Sequence, residues 1–402
     1  VTGTIVVTLL LVAALLFWPR VAQAPMWRAT VTPLASIIGS GFLILGPVML
    51  VNFGSWGPLT MLVLCALGYA FGSAMRFNIH YLGDGPQRRG TPLQALGEQT
   101  SSWVLAFAYF ISVAYYLNLF GAFAGRIVDV RGGTLPKVIT TVIYLLILAA
   151  GYLRGFSVME RLEKFSVSLK LAIIASLLAG LAVHTTQQDV PSMLAYSPAK
   201  AQGTLALQLL LGLIVTVQGF ETSRYLGQHY NAATRVRSMR HAQWLASAIY
   251  LIYAALLTLS FHQQTMTLDE TAIIDLMGVV AVVLPPLLIA AALSAQFSAA
   301  VADTSASGGL IHELSGQRLR ARHGYVLLTI TGLLLTWLLD VFEIISHASR
   351  AFALYYGLQS LLAAMRAAQQ APGLRRSLQA TGFALLGLIG LAAVVFSVPV
   401  EG

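Results

Sequence analysis

The 402 residues are 57% hydrophobic and only 10% charged, with a mean hydropathy of +0.77, which leaves too little polar surface for a chain that folds in water. The composition therefore excludes a soluble protein and reads as an integral membrane protein. The net charge of +9 does not point to nucleic acid, because the basic residues lack the aromatic interleaving of a strand-binding surface and sort with the ends of apolar runs.

About 20 apolar residues cross a bilayer as a helix. Such runs fall at roughly 3–18, 30–51, 57–79, 101–125, 134–153, 165–183, 204–226, 240–261, 273–299, 325–340, 344–366 and 378–398, which predicts about twelve transmembrane helices. Runs such as "LLLVAALLF" do not alternate, so a β-barrel is excluded. The first run is read as an accessory helix. A cleaved leader is the alternative, since Ala22-Gln23-Ala24 loosely resembles a signal-peptidase site, although no basic segment precedes the run. The single cysteine, Cys65, can form no intrachain disulfide and lacks zinc-ligand partners.

Orientation follows from Lys and Arg. Nineteen of the 24 lie on one set of loops and helix ends, among them Arg76, Arg224, Arg235 and Arg366. Arg126, Arg131, Lys137 and Lys200 lie on the other, and Arg350 belongs to neither. The rich side is read as cytoplasmic, in an inner membrane, which puts the acidic stretch from Asp269 to Asp275 outside.

Counted from residue 26, five spans occupy 26–183 and five more 184–366, with an accessory helix over 1–25 and a further helix in 367–402. An odd number of helices per block inverts the second block relative to the first. The first helix of each block is interrupted, by Gly39-Ser40-Gly41 in "SIIGSGFLILGP" and by Gln218-Gly219-Phe220-Glu221 in "LIVTVQGFETSRYLG". Paired interruptions in inverted halves are the sequence pointer to a transporter site at the bilayer midplane. Unwound backbone there must be satisfied by protein, water or a polar solute, and a half-helix N-terminus favours a carboxylate. Close helix packing through small residues is the competing explanation.

The stretch "IIGSGF", followed by "ALGEQTSSWVLAFAYFIS", "LRGFSVMERLEKFSVSLKLAIIASLLAGL" and "QGFE", resembles the amino acid, polyamine and organocation (APC) transporter superfamily, in that family's order over about residues 26 to 398. The resemblance implies an all-α leucine-transporter-like fold of two inverted five-helix repeats. It also implies a substrate site at Ile38, Gly39, Ser40 and Gly41, for a carboxylate, and at Gln218, Gly219 and Phe220, for an amino group. Lys170 falls where proton-coupled members carry a lysine. Its position alone also fits snorkelling to the interface. The sequence departs from the family pattern at Gln218, at Gln228-His229, and in "ADTSASGGL", which lacks the usual arginine.

Other polar residues carry two readings each. Glu221 is a substrate ligand or a helix cap. Glu343, His347 and Arg350 share a helix face at i, i+4 and i+7 and form a gate or an internal salt bridge. Tyr115, Tyr116, Ser294 and Ser298 are pocket or ion ligands or packing hydroxyls, and Pro285-Pro286 is expected to kink its helix. "GPQRRGT" at 85–91 lacks the lysine of a phosphate-binding loop, and no HExxH, CxxC or GxSxG occurs. No catalytic residue, metal or cofactor is implied, so the chain is not read as an enzyme. The expected function is secondary active transport of an amino acid or related amine, coupled to protons, through the lipid bilayer. A non-transporting receptor that retains the fold is the rival.

Overall fold

The computed structural model describes residues 1–39, 41–84, 91–153, 159–188, 198–261, 268–370 and 373–400, with backbone alone for 159–165 and for Gln228. Ser40, the glycine-bearing stretch 85–90 and part of the "LRGFSVMERLEKF" passage, at 154–158, lie outside the described residues.

Helix α1 (Thr2–Phe17) packs along the later helix α7 (Met159–Thr185), where Ile5 sits against Gly180. The first interrupted span is two helices, α2 (Pro25–Ile37) and α3 (Gly41–Phe53), each starting or stopping where sequence chemistry allows it. Pro25 opens α2 at the first helical position, where its missing N–H costs nothing. Helix α4 (Gly57–Leu82) follows, and then α5 (Pro92–Gly125), which begins with a capping box: Gln94 N–H donates to Thr91 Oγ1 and Thr91 N–H to Gln94 Oε1. That cap carries α5 nine residues before the apolar run at 101, because a helix can continue into polar surroundings once its end is satisfied. Helix α6 (Thr134–Leu153) leads to α7.

The second interrupted span is α8 (Gly203–Gly212), a 3-10 turn (Ile214–Val217), an extended Gln218 and a 3-10 helix (Phe220–Gln228). It leads to α9 (Ala232–Ser260), capped by Asn231 Oδ1 on Thr234 N–H. The run 273–299 is not one span: α10 (Ala272–Val280) ends at an extended Ala281, and α11 (Leu284–Leu314) begins anew. Pro285 and Pro286 stand in the first turn of α11, so they start that helix and do not kink it. Helices α12 (Ala321–Leu338), α13 (Val341–Ala368) and α14 (Leu374–Phe396) complete the chain.

Seven helical stretches among the described residues are long and apolar enough to cross a membrane, Gly41–Leu82 counting as one. The sequence expected more, and the shortfall has a structural cause. Interruption splits a span into halves too short to count alone. Helix α5 runs through the middle of the protein and is buried along most of its length, against α6, α11, α12 and α13. Helices α13 and α14 approach closely because Gly357, Gly387 and Gly390 face each other; a Cβ on Gly390 would lie 2.7 Å from Gly357 Cα.

Candidate functional site

The two interruptions touch. A Cβ on Gly41, at the start of α3, would lie 2.5 Å from the Thr216 carbonyl oxygen and 2.7 Å from Thr216 Cα. A Cβ on Gly219 would lie 2.6 Å from the Ser36 carbonyl carbon and 2.7 Å from Ile37 N. Gly219 also has φ +114°, a conformation that L side chains rarely adopt. Each break thus uses a glycine to let the other break's backbone in.

Between them stands Tyr250 of α9. Its hydroxyl lies 2.8 Å from the Ile37 carbonyl and 2.7 Å from the Thr216 carbonyl, so one donor serves a carbonyl from each break. Ile38 closes α2, its N–H donating to Leu34 O, and the Gly39 N–H donates to Ser36 O.

The second break adds side-chain chemistry. Glu221, only 1% exposed, accepts from the Gly219 N–H and from the Tyr356 hydroxyl, both at 2.9 Å on Oε2. That geometry realises the capping reading of Glu221 at the break itself. Phe220 stacks on Tyr356 with centroids 4.9 Å apart. Gln218 Nε2 donates to the Tyr116 hydroxyl at 2.9 Å, and Tyr115 and Tyr116 pack ring against ring on α5.

Lys170 is buried on α7, and its Nζ donates to the Ala35 carbonyl at 2.9 Å, in the last turn of α2 before the first break. Ser294 lies 2.6 Å from Ser166 of α7, oxygen to oxygen, and Ser298 is half-buried one turn further on. Glu343, His347 and Arg350 are not joined into one network. Glu343 closes a capping box with Asp340 at the start of α13, Arg350 donates to the Ser397 hydroxyl and carbonyl, and His347 is half-buried between them.

On the arginine-rich face, one turn beyond Glu221, Arg224 Nη2 meets Glu98 Oε2 at 2.5 Å, and Arg366 Nη2 meets Glu98 Oε1 at 2.6 Å. Gln359 accepts from Arg224 and from Asn78, and donates to Ser101. The network ties the second broken helix to α4, α5 and α13. On the opposite face Asp275 takes Arg126 at 2.5 Å and Arg131 at 3.0 Å, beside a cavity of 190 Å³ lined in part by Arg131, Asp269 and Glu270. Burial holds the Glu270 carboxyl above the usual carboxylate range, and the neighbouring Asp269 and Asp340 push it the same way. A larger cavity, of 600 Å³, opens between Trp56 and Leu207 and does not reach the breaks.

Sequence reading missed Tyr250, Asp303 and the two charged clusters. Asp303 had a signal: an acid inside an apolar run is a functional residue by default. Tyr250, in "AIYLIYAAL", had none.

With this geometry in place, the family described as APC superfamily transporter matches residues 19–397. The chain belongs to that superfamily, and it is a multi-pass, all-α membrane transporter. An uncharacterized protein of Aquifex aeolicus (strain VF5) is 39% identical over 352 residues, which cover 86% of this chain and 85% of that one.

Proposed function

We propose that the protein is a secondary active transporter of amino acids or related amines, built from two inverted five-helix repeats at 26–183 and 184–366 and driven by protons. Alternating access would rock the helices carrying both breaks against the rest. The observation that carries the reading is the mutual contact of the breaks, Gly41 on Thr216 and Gly219 on Ser36, because interrupted backbone at membrane depth persists only where protein or a polar solute satisfies it. Ile38, Gly39, Ser40 and Gly41 then offer the N-terminus of α3 to a carboxylate, while Gln218, Gly219, Phe220 and Glu221, with Tyr116, receive the amine.

The charged clusters above and below the breaks serve as the two closures. The Glu98 cluster blocks the route to the cytoplasmic face, and the Asp275 cluster blocks the outer route. Lys170 couples protonation to the first break: a lysine held in an apolar interior gives up its proton more readily, and without its charge the hold on Ala35 weakens. Ser294 and Ser298 sit on the same pair of helices, where an ion would be the alternative driver. Glu343, His347 and Arg350 sit at one end of α13, and any gating role there passes through the contacts with Asp340 and Ser397.

The test is radiolabelled uptake into proteoliposomes across a panel of amino acids and amines, under a proton gradient, a sodium gradient or neither. Proton-driven uptake of one class is expected, and Lys170→Ala should leave uptake indifferent to the pH gradient. Sodium dependence, or a folded protein silent across the panel, contradicts the reading.

A further inference from the structure

A second buried carboxylate faces the breaks. Asp303 lies in α11, 6% exposed, and its Oδ2 accepts from the Ser112 hydroxyl at 2.5 Å. Ser112 stands on α5 three residues after Tyr109 and four before Tyr116, so all three share one helix face. Asp303 therefore docks onto the face of α5 that carries those two tyrosines.

From Tyr116 the contacts run to Gln218 at 2.9 Å, and along the backbone to Gly219, whose N–H binds Glu221. From Tyr109 they run through the Phe352 ring, 6.1 Å between centroids, to Tyr356, whose hydroxyl binds the same Glu221 oxygen. Two independent paths thus connect Asp303 to Glu221, and they enclose a small aromatic-walled space between α5, α13 and the second break. Tyr109 and Tyr116 each lie close enough to feel the charge of both carboxylates.

One further atom points into ligand chemistry. Gln218 is 3% exposed, and its Oε1 has no hydrogen-bond partner, although Nε2 is engaged by Tyr116. A buried acceptor left open inside a ring of acceptors calls for a donor from outside the protein. The polar inventory of this ring is two carboxylates, an open amide oxygen and tyrosine faces. Each of these attracts a cation, the tyrosines through their ring quadrupoles, and the charged pair strongly so at low dielectric.

We infer that Asp303 is a second carboxylate of the substrate site, that Ser112 holds it in place, and that the solute is an amine of net positive charge with two ammonium groups, one for Glu221 and one for Asp303. The inference rests on the transporter reading above and narrows its substrate class. A zwitterionic amino acid brings one ammonium group to two acids and leaves one of them uncompensated. A short alkyl diamine compensates both and lays its methylenes along the aromatic wall.

The test measures equilibrium binding of putrescine, n-butylamine and leucine to the purified full-length protein, three small solutes that differ in carrying two ammonium groups, one, or a zwitterion. Putrescine is expected to bind at least ~10-fold more tightly than n-butylamine, the scale on which removing one partner of a buried charge pair acts. Asp303→Asn should abolish that advantage with little change for n-butylamine, and Ser112→Ala should reduce it in part. Thermal unfolding of each variant shows whether it is folded, and Asp303→Glu should restore preference for the diamine even if Asp303→Asn fails to fold. Leucine binding more tightly than putrescine, or a putrescine advantage untouched in folded Asp303→Asn, overturns the inference and leaves the amino acid transporter standing. A folded wild-type protein that binds none of the three overturns the inference together with the amine and amino acid reading beneath it.

Discussion

The two interruptions of this fold reach the same meeting point by different means. The first, at Ile38 to Gly41, works with backbone: α2 ends, α3 restarts against Thr216, and the side chains on the described residues there are an isoleucine and two hydrogens. The second, at Gln218 to Glu221, is conformationally more demanding and chemically richer, with a glycine at φ +114°, an amide and a carboxylate. The difference teaches which substitutions act by shape and which act by charge. At the first break a change of residue is felt as volume. At the second it is also felt as strain and as a lost ligand.

The largest effect expected from this comparison is at Gly219. Gly219→Ala places a Cβ into the Ser36 backbone and forces an alanine into a left-handed conformation, which costs about 1–3 kcal/mol for the strain alone. Gly41→Ala meets only the contact with Thr216 and should lower the thermal unfolding midpoint less. Equal midpoints for the two variants would erase the distinction between the breaks. Glu221→Gln comes next: it keeps the volume but replaces two bonds to a charged acceptor, a change of about 1.5–3 kcal/mol. Solute binding should weaken by ~10-fold or more, as read by titration calorimetry.

A smaller effect is expected where the breaks are bridged. Tyr250→Phe removes the hydroxyl between the Ile37 and Thr216 carbonyls, and should cost about 1–3 kcal/mol of stability for the acceptor left unpaired. An unchanged midpoint would mean that water takes over the bridge. The smallest effect lies at the outer closure, where Glu270 has a folded value raised by burial. A carboxyl raised on folding binds its proton more tightly folded than unfolded, so stability is gained as pH falls through the raised value and lost as pH rises through it. Glu270→Gln should flatten that segment of the stability–pH curve, measured by thermal unfolding in buffers that bracket the carboxylate range.

Much of this architecture was legible in the sequence, for identifiable reasons. Glycines inside apolar runs at 39–41 and 219 announced the breaks, since nothing else explains such residues where backbone has no water. Apolar length announced most of the helices, and the basic residues sorted by face as the charged clusters do: Arg224 and Arg366 meet on one side, Arg126 and Arg131 on the other. The division at Ala281 was hidden because hydropathy is blind to φ and ψ, and the prolines that open α11 read equally well as a kink. Tyr250 was hidden for a different reason. A tyrosine in an apolar helix looks like packing until its partners are known, and here they lie more than 30 residues away in sequence on both sides. The grouping of Glu343 with Arg350 failed on the same ground: a shared helix face does not decide which neighbour each side chain binds.

The central claim is that the two breaks form one solute site. It is tested most directly by equilibrium binding of the transported solute to purified Gly41→Val and Gly219→Val side by side, each shown to be folded by its unfolding transition. The account predicts that both variants lose binding, although they stand in different halves of the chain. Wild-type affinity in either folded variant would contradict it.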